Sequence, residues 1–218
     1  EVAKGLGDKG DWKARAKALG ALQRLAWGDL GTLKGAAEAL KGMSELVALQ
    51  ILDLRSAVSK EAARAVGALA VSLGQAFAPL AELWWLPLVR AVVVTIDVIS
   101  SAVDKCLRVV VCCCQDRRLL GLILEGCAGK SPVLRRFSLQ YLCLACACWG
   151  PDVLDRAAGA VRGAIRAGLE DADGAARRTS RQLYCMLTQA SPRLQAAMRQ
   201  VRGELDAAGQ RNVAGEGG

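Results

Sequence analysis

The chain has 218 residues, 53% of them hydrophobic and 23% charged, with no histidine and a formal net charge of +8 at pH 7. That length and apolar content suit one domain with a real core and argue against disorder. The absence of histidine removes every His-dependent catalytic scheme and His-ligated metal site, and the charge points to an acidic partner.

The opening Glu1-Val2-Ala3-Lys4 leads into glycine and charge and shows no secretory pattern. The Gly-rich stretch before Asp11 leaves room for part of a helix only. From Trp12 to Ala26, residues Ala14, Ala18, Leu19, Leu22 and Leu25 fall on one helical stripe. Leu33 to Ile51 reads as one helix through Leu33, Ala37, Leu40, Met43, Val47 and Ile51, and Ala57 to Leu73 as another through Val58, Ala62, Ala65, Val66 and Leu69. The uncharged run Ala65 to Ala81 contains glycine, serine, glutamine and proline, and Trp84 to Ile99 is broken by Pro87, Arg90 and Asp97. Neither makes the ~20 predominantly apolar residues of a membrane span. Trp84 and Trp85 read as core, and Asp97 as a residue near a helix end. Arg108 to Cys114 has the composition of a strand, but its flanks are helical and no partner strand exists.

Breaks are expected at Gly28-Asp29, Asp53, Gly74 to Pro79, Ser100-Ser101, Gln115-Asp116, Gly129 to Pro132, Gly150-Pro151, Asp171 to Gly174 and Ser191-Pro192. Ser131-Pro132 and Ser191-Pro192 fit an N-cap followed by the first helical position. Asp171 and Asp173 suit helix capping better than calcium, since the loop lacks the ligand series. Residues 209–218 carry no apolar face and read as a flexible tail, leaving 1–208 as a single domain.

Nine cysteines sit in apolar helical text and read as reduced, buried thiols. Cys143-Leu-Ala-Cys146 has metal-site spacing, but no second pair and no histidine accompany it, so neither metal nor cofactor is expected. No phosphate loop, nucleophile elbow or paired-carboxylate motif is present, and an enzyme is not expected.

Internal similarity is visible. Ala18-Leu19-Gly20-Ala21-Leu22 matches Ala65 to Leu69, Ser56 to Lys60 matches Ser101 to Lys105, and Pro132 to Arg136 matches Gly174 to Arg178. HEAT and armadillo arrays repeat at ~40–47 residues. The reading is an all-α solenoid of about six HEAT-like helical hairpins, each burying its face on its neighbours. The breaks opening each second helix then form one edge, carrying Lys13, Arg55, Lys60, Lys105, Lys130, Arg135, Arg136, Arg177 and Arg178.

Four stretches resemble the TOG domain, a HEAT-type tubulin-binding array, and within it the CLASP family, with crescerin-type ciliary proteins second. Asp11-Trp12-Lys13-Ala14-Arg15 looks like the family's opening loop. Asp53-Leu54-Arg55-Ser56-Ala57-Val58-Ser59-Lys60-Glu61-Ala62 is close to the CLASP pattern and is the most specific match. Lys130-Ser131-Pro132-Val133-Leu134-Arg135-Arg136 is similar to the fourth loop, and Asp171-Ala172-Asp173 with Arg177, Arg181 and Tyr184 to the fifth. Ser100-Ser101-Ala102-Val103 is identified as the third loop by repeat position. Cys185 departs from a frequent tryptophan, Ala175 from an acidic residue and Phe137 from a basic one.

The resemblance implies a paddle whose loop edge grips tubulin. Trp12, Lys13, Arg55 and Lys60 would address β-tubulin, and Arg177 and Arg181 α-tubulin; Ser56, Ser101, Lys105, Lys130, Arg135 and Arg178 complete the edge. It implies a monomer regulating microtubule dynamics within a longer protein, on cytoplasmic, ciliary or flagellar microtubules, with neither nucleic acid nor membrane as partner.

The residues by themselves leave choices open. Trp12 at a helix start is either an exposed contact or a staple on its own helix. Arg55 either meets a partner or bonds carbonyls of the preceding helix. Arg177, Arg178 and Arg181 make a binding patch or a solvated face. A basic helical scaffold for nucleic acid or another acidic protein is the alternative function, weakened by the scarcity of aromatics for base stacking.

Overall fold

The computed structural model describes residues 1–28, 30, 34–205 and 209–210. The expected break at Asp29, the stripe position Leu33 and the tail residues 211–218 lie outside them. The described residues are helical, and contacts gather them into two compact units, Glu1–Cys114 and Gln115–Gly218.

In the first unit the order is α1 (Val2–Leu6), α2 (Trp12–Trp27), α3 (Ala36–Gly42), α4 (Ser44–Ile51), α5 (Ser56–Leu73), a 3-10 turn (Gly74–Phe77), α6 (Ala78–Val92) and α7 (Asp97–Cys113). Three hairpins result: α1 with α2, α4 with α5, α6 with α7. Their second helices stack in sequence, α2 on α5 and α5 on α7. The middle helix explains this. Ala62, Ala63, Ala65, Val66, Ala68, Leu69 and Ala70 of α5 are all buried, and such small side chains let a neighbour approach on either flank. Ser56–Val92 has the composition of a membrane span, yet Gly74 turns the chain at φ 52, where only glycine avoids strain. Trp84 and Trp85 are both buried, as expected, and the Trp84 indole N–H donates to the Ser44 carbonyl at 3.1 Å.

The second unit runs α8 (Arg117–Cys127), α9 (Pro132–Cys148), α10 (Pro151–Arg156), α11 (Ala158–Leu169), α12 (Gly174–Leu187) and α13 (Pro192–Glu204). Here α8 pairs with α9 and α11 with α12, α12 packs on α9, and α13 covers α11 and α12. Asp116, Ser131, Asp173 and Ser191 cap α8, α9, α12 and α13 through side-chain oxygens on N–H groups of the first turn.

One packing device recurs. Gly5, Gly126 and Gly168 are the penultimate residues of α1, α8 and α11, and each faces the seventh residue of its partner: Ala18, Ser138 or Ser180. A Cβ on Gly126 would lie 2.2 Å from the Ser138 hydroxyl, and one on Gly168 2.0 Å from that of Ser180. Two bare surfaces meet at the head of each hairpin and set how closely its helices approach.

Four expectations change. The single helix from Leu33 to Ile51 is α3 and α4, divided at Met43. The break at Ser100-Ser101 is absent; the chain turns at 93–96, and both serines lie inside α7. That linker, Val93-Val94-Thr95-Ile96, has no Gly, Pro, Asn or Asp, so it carries no turn chemistry to read. The repeat register shifts with it. α2, α5 and α7 begin at residues 12, 56 and 97, steps of 44 and 41 where the matched sequences stepped 47 and 45. None of the nine cysteines forms a disulfide, but only Cys106, Cys114 and Cys127 are buried. Burial pushes the Cys106 and Cys127 thiols up to about 12.

Gly163 and Gly168 on α11 should respond oppositely to alanine. Gly163 has nothing within 4 Å of a new Cβ, so Gly163→Ala is expected to stabilise by about 0.5–1 kcal/mol through helix propensity. Gly168→Ala overpacks Ser180 and Leu139 and is expected to destabilise by about 1–3 kcal/mol, with Ser180→Ala recovering part. Urea unfolding of the variants decides; equal shifts would remove the close-approach explanation.

Candidate functional site at the helix-opening loops

Each second helix presents its N-terminus and the loop before it. The fourth residue of these helices acts alike throughout: a side-chain donor reaches backward or sideways to hold a loop. In α5, Ser59 Oγ donates to the Ile51 carbonyl at 2.8 Å, and in α7 Ser100 Oγ donates to that of Val92 at 2.6 Å. In α9, Arg135 Nη1 donates to the carbonyls of Gly129 and Lys130 at 3.1 and 3.0 Å. In α12, Arg177 Nη1 donates to those of Asp171 and Ala172 at 2.7 and 2.9 Å. In α2, Arg15 Nη1 donates to Gln50 Oε1 at 3.0 Å and Asp53 Oδ2 at 2.8 Å. Carbonyls at a helix end have no intrahelical partner; Ser59 and Ser100 satisfy the last ones of α4 and α6, while the arginines bond groups of the loops and of Gln50.

Two of these arginines also tie one repeat to the next. Arg15 of α2 pairs with Asp53 before α5, and Arg135 of α9 grips Asp171 before α12 with two bonds, 2.6 and 3.0 Å. Both carboxylates stand two residues ahead of the helix N-cap, and both accept the N-cap N–H, from Arg55 at 2.8 Å and Asp173 at 2.9 Å. Both are nearly buried, at 8% and 5% side-chain exposure. The Arg135 guanidinium is the main reason the Asp171 carboxyl sits below the usual carboxylate range, and that hydrogen bond raises Arg135 in turn. Asp173 is lowered chiefly by the Ala176 N–H it caps. Gln50 deepens the anchor in the first unit. It is buried, and its Nε2 donates to the carbonyls of Leu6 and Leu46.

With its aspartate held inward, each loop turns its next residues outward. Leu54 is 89% exposed and the Arg55 side chain 59%. Arg55 lies 3.7 Å from Asp53, while loop carbonyls are bonded by Arg135 and Arg177 instead. Trp12 opens α2 at 36% exposure with the Lys13 ammonium 6.0 Å from its ring centre, behind Asp11, whose carboxylate caps the helix. Ser56 opens α5 half-buried. The third loop adds Val94 and Ile96, both exposed.

The other predicted residues divide. Lys130 and Arg178 are exposed and Arg181 is half-buried. Arg136 is 3.5 Å from Asp173. Lys60, Ser101 and Lys105 are not loop residues: they are the fifth residue of α5 and the fifth and ninth of α7, and they line one cavity on the helical face. Leu54, Val94, Ile96, Arg15 and Gln50 were missed as elements of the site. Arg15 stood in a recognised motif, while Gln50 lies at the end of α4 and carries no signal in the sequence. Among the described residues no group of three or more His, Cys, Asp or Glu is placed to hold a metal ion.

A family model described as CLASP N terminal matches residues 8–208. CLIP-associating protein 1-B of Xenopus laevis is 27% identical over 177 residues, which cover 81% of this chain and 12% of that protein. The chain thus spans a small part of this curated relative. Among solved structures, one of microtubule polymerases with TOG domain arrays, concerned with tubulin recruitment, aligns with a TM-score of 0.74 at 16% identity, over 96% of this chain and 44% of that one. The MAST/Orbit N-terminal domain aligns with a TM-score of 0.72 at 14% identity, over 98% of this chain and 93% of that one. The fold is that of TOG-type HEAT solenoids.

The Arg135–Asp171 clamp gives a pH signature. The folded value of Asp171 lies below its unfolded one, so its contribution is complete above about pH 4 and fades as pH falls through the lowered value. Asp171→Asn should cost about 2 kcal/mol at pH 7. The gap from the parent chain should narrow as pH falls below about 4, read by urea unfolding at each pH. A gap independent of pH would show that the carboxylate charge is not its source.

Proposed function

The chain belongs to the CLASP N-terminal family, and from that premise we propose that it binds the αβ-tubulin dimer through the loops that open its second helices. The observation that carries the reading is the paired presentation in the first unit. Asp53 is held inward by Arg15 while Leu54 and Arg55 project into solvent, and Trp12 stands exposed at the head of the neighbouring α2. An exposed tryptophan and leucine bury apolar area on a partner, and the flanking Lys13 and Arg55 meet a carboxylate rim. These residues address β-tubulin. In the second unit Lys130, Arg178 and Arg181 address α-tubulin, while Arg135 and Arg177 hold the loops in shape. Ser56 contributes at the start of α5. The activity is binding, not covalent chemistry, and it serves microtubule regulation within a longer protein, in the cytoplasm or a cilium. Residues 1–208 act as one monomeric domain.

The test is co-elution with tubulin dimers on a sizing column at low salt. Trp12→Glu with Arg55→Glu, and separately Lys130→Glu with Arg178→Glu, should each weaken the complex at least tenfold without changing the circular dichroism spectrum. Charge reversal should also flatten the salt dependence of the complex that remains, because the attractive exposed pairs that salt screens within about 8–10 Å are gone. A complex indifferent to both pairs of substitutions would overturn the loop mechanism.

A further inference from the structure

The first unit carries a second surface that tubulin binding at the loops does not use. A cavity of about 510 Å³ runs along the face made by α2, α5 and α7. That volume falls in the range of sites that hold small molecules or peptide side chains, ~300–1,000 Å³. Its floor is made of small residues, among them Ala63, Gly67 and Ala102. Its walls are graded along the helix axis. Trp27 of α2 and Val71 of α5 are both the sixteenth residue of their helices and stand 71% and 50% exposed. An indole so uncovered, lining the same cavity as an exposed valine, is an apolar shelf left bare by the described residues of this unit.

Toward the loop end the same trough carries its cations, beside the exposed Val98 of α7. Lys60 is the fifth residue of α5; Arg64 and Lys105 are the ninth of α5 and α7. The groups facing them are few. Glu61 on α5 bonds Arg64 at 2.6 Å and accepts from Gln23 of α2 at 2.8 Å, and Asp104 on α7 pairs with Arg108. No carboxylate lies within ion-pair distance of Lys60 or Lys105 among the described residues. Seven to eleven helical residues at 1.5 Å each separate the cations from the apolar shelf, about 10–16 Å. An extended peptide covers that distance in about three to five residues.

We propose that this trough is a docking groove for a short acidic peptide that seats an aliphatic or aromatic side chain on Trp27 and Val71 and its carboxylates on Lys60 and Lys105. Charge complementarity selects the acidic end, and the bare floor lets the peptide backbone lie close. The groove is independent of the tubulin reading, since Trp27 and Val71 lie at the ends of their helices remote from the opening loops. It also gives Lys60 and Lys105 a role that their place on the helical face accounts for.

Two fluorescein-labelled peptides of about ten residues test it against the whole chain by anisotropy. One carries Leu-Phe followed after three residues by four glutamates; the other has the reverse order. At low salt one order should bind in the range of tens of micromolar and weaken about tenfold on raising salt from 50 to 300 mM. Lys60→Glu with Lys105→Glu, and separately Trp27→Ser, should each weaken it at least tenfold. All three side chains are at the surface, and an unchanged thermal midpoint shows that the variants remain folded. Trp12→Glu should leave peptide binding untouched, which separates this groove from the loops. Failure of both peptides to bind at 0.5 mM would overturn the proposal. So would binding that survives the Trp27 and lysine substitutions.

Discussion

A donor side chain at the fourth position of each second helix is the interaction on which the rest of this structure depends. Arg15, Ser59, Ser100, Arg135 and Arg177 occupy that position in five consecutive second helices, and every one bonds a loop group or a helix-end carbonyl. A hairpin of two helices leaves unpaired carbonyls where the first helix ends. Water satisfies them equally well, but only a fixed donor holds the loop in one shape. The geometry therefore converts a solvation requirement into a positioned loop. Where the donor is arginine it has further hydrogens in a fixed fork, and Arg15 and Arg135 spend them on an aspartate of the following repeat.

This division of labour sorts the cations that look alike in the sequence. Arg135 and Arg177 are consumed within the fold by carbonyls and carboxylates, whereas Arg55, Lys130 and Arg178 stand in solvent. The aspartate of each loop is likewise an inward anchor. Holding Asp53 against Arg15 accompanies an outward Leu54, so an apolar residue that would ordinarily seek the core stands in solvent. Exposed leucine in a loop does not serve the core, and together with an exposed tryptophan at the head of the adjacent α2 it is the strongest local argument for an interface.

The second constraint is steric and sits at the head of the hairpins. In three of the five hairpins, glycine at the penultimate position of the first helix and a small residue at the seventh of the second bring the two backbones together. The hydroxyls of Ser138 and Ser180 make no hydrogen bond there, so these serines are present for their size. The same preference for small side chains on α5 has a functional consequence. It packs α2 and α7 against both flanks and leaves a shallow floor between them, bordered by whatever the neighbouring helices expose. Trp27 and the unpaired lysines border it because their stripe positions face away from the core.

Much of this was legible in the residues alone. Helical periodicity, the Ser-Pro and Asp caps and the 42-residue step from Pro132 to Gly174 are local properties, and local propensity determined them before any packing was considered. Breaks marked by Gly, Pro, Asp or Ser were found because such residues carry turn chemistry. The Val93–Ile96 turn was not, because a β-branched run carries none, and the register of the third repeat slipped with it. Tertiary structure alone decided which side of each loop faces inward, since that follows from the Arg15–Asp53 and Arg135–Asp171 bonds between residues 38 and 36 apart in the chain, while Arg177 is held by carbonyls five and six residues before it. Sequence fixes where charge and apolar surface occur along a helix. Only the neighbouring helix, by burying one face and leaving the other bare, decides which of them a partner can reach.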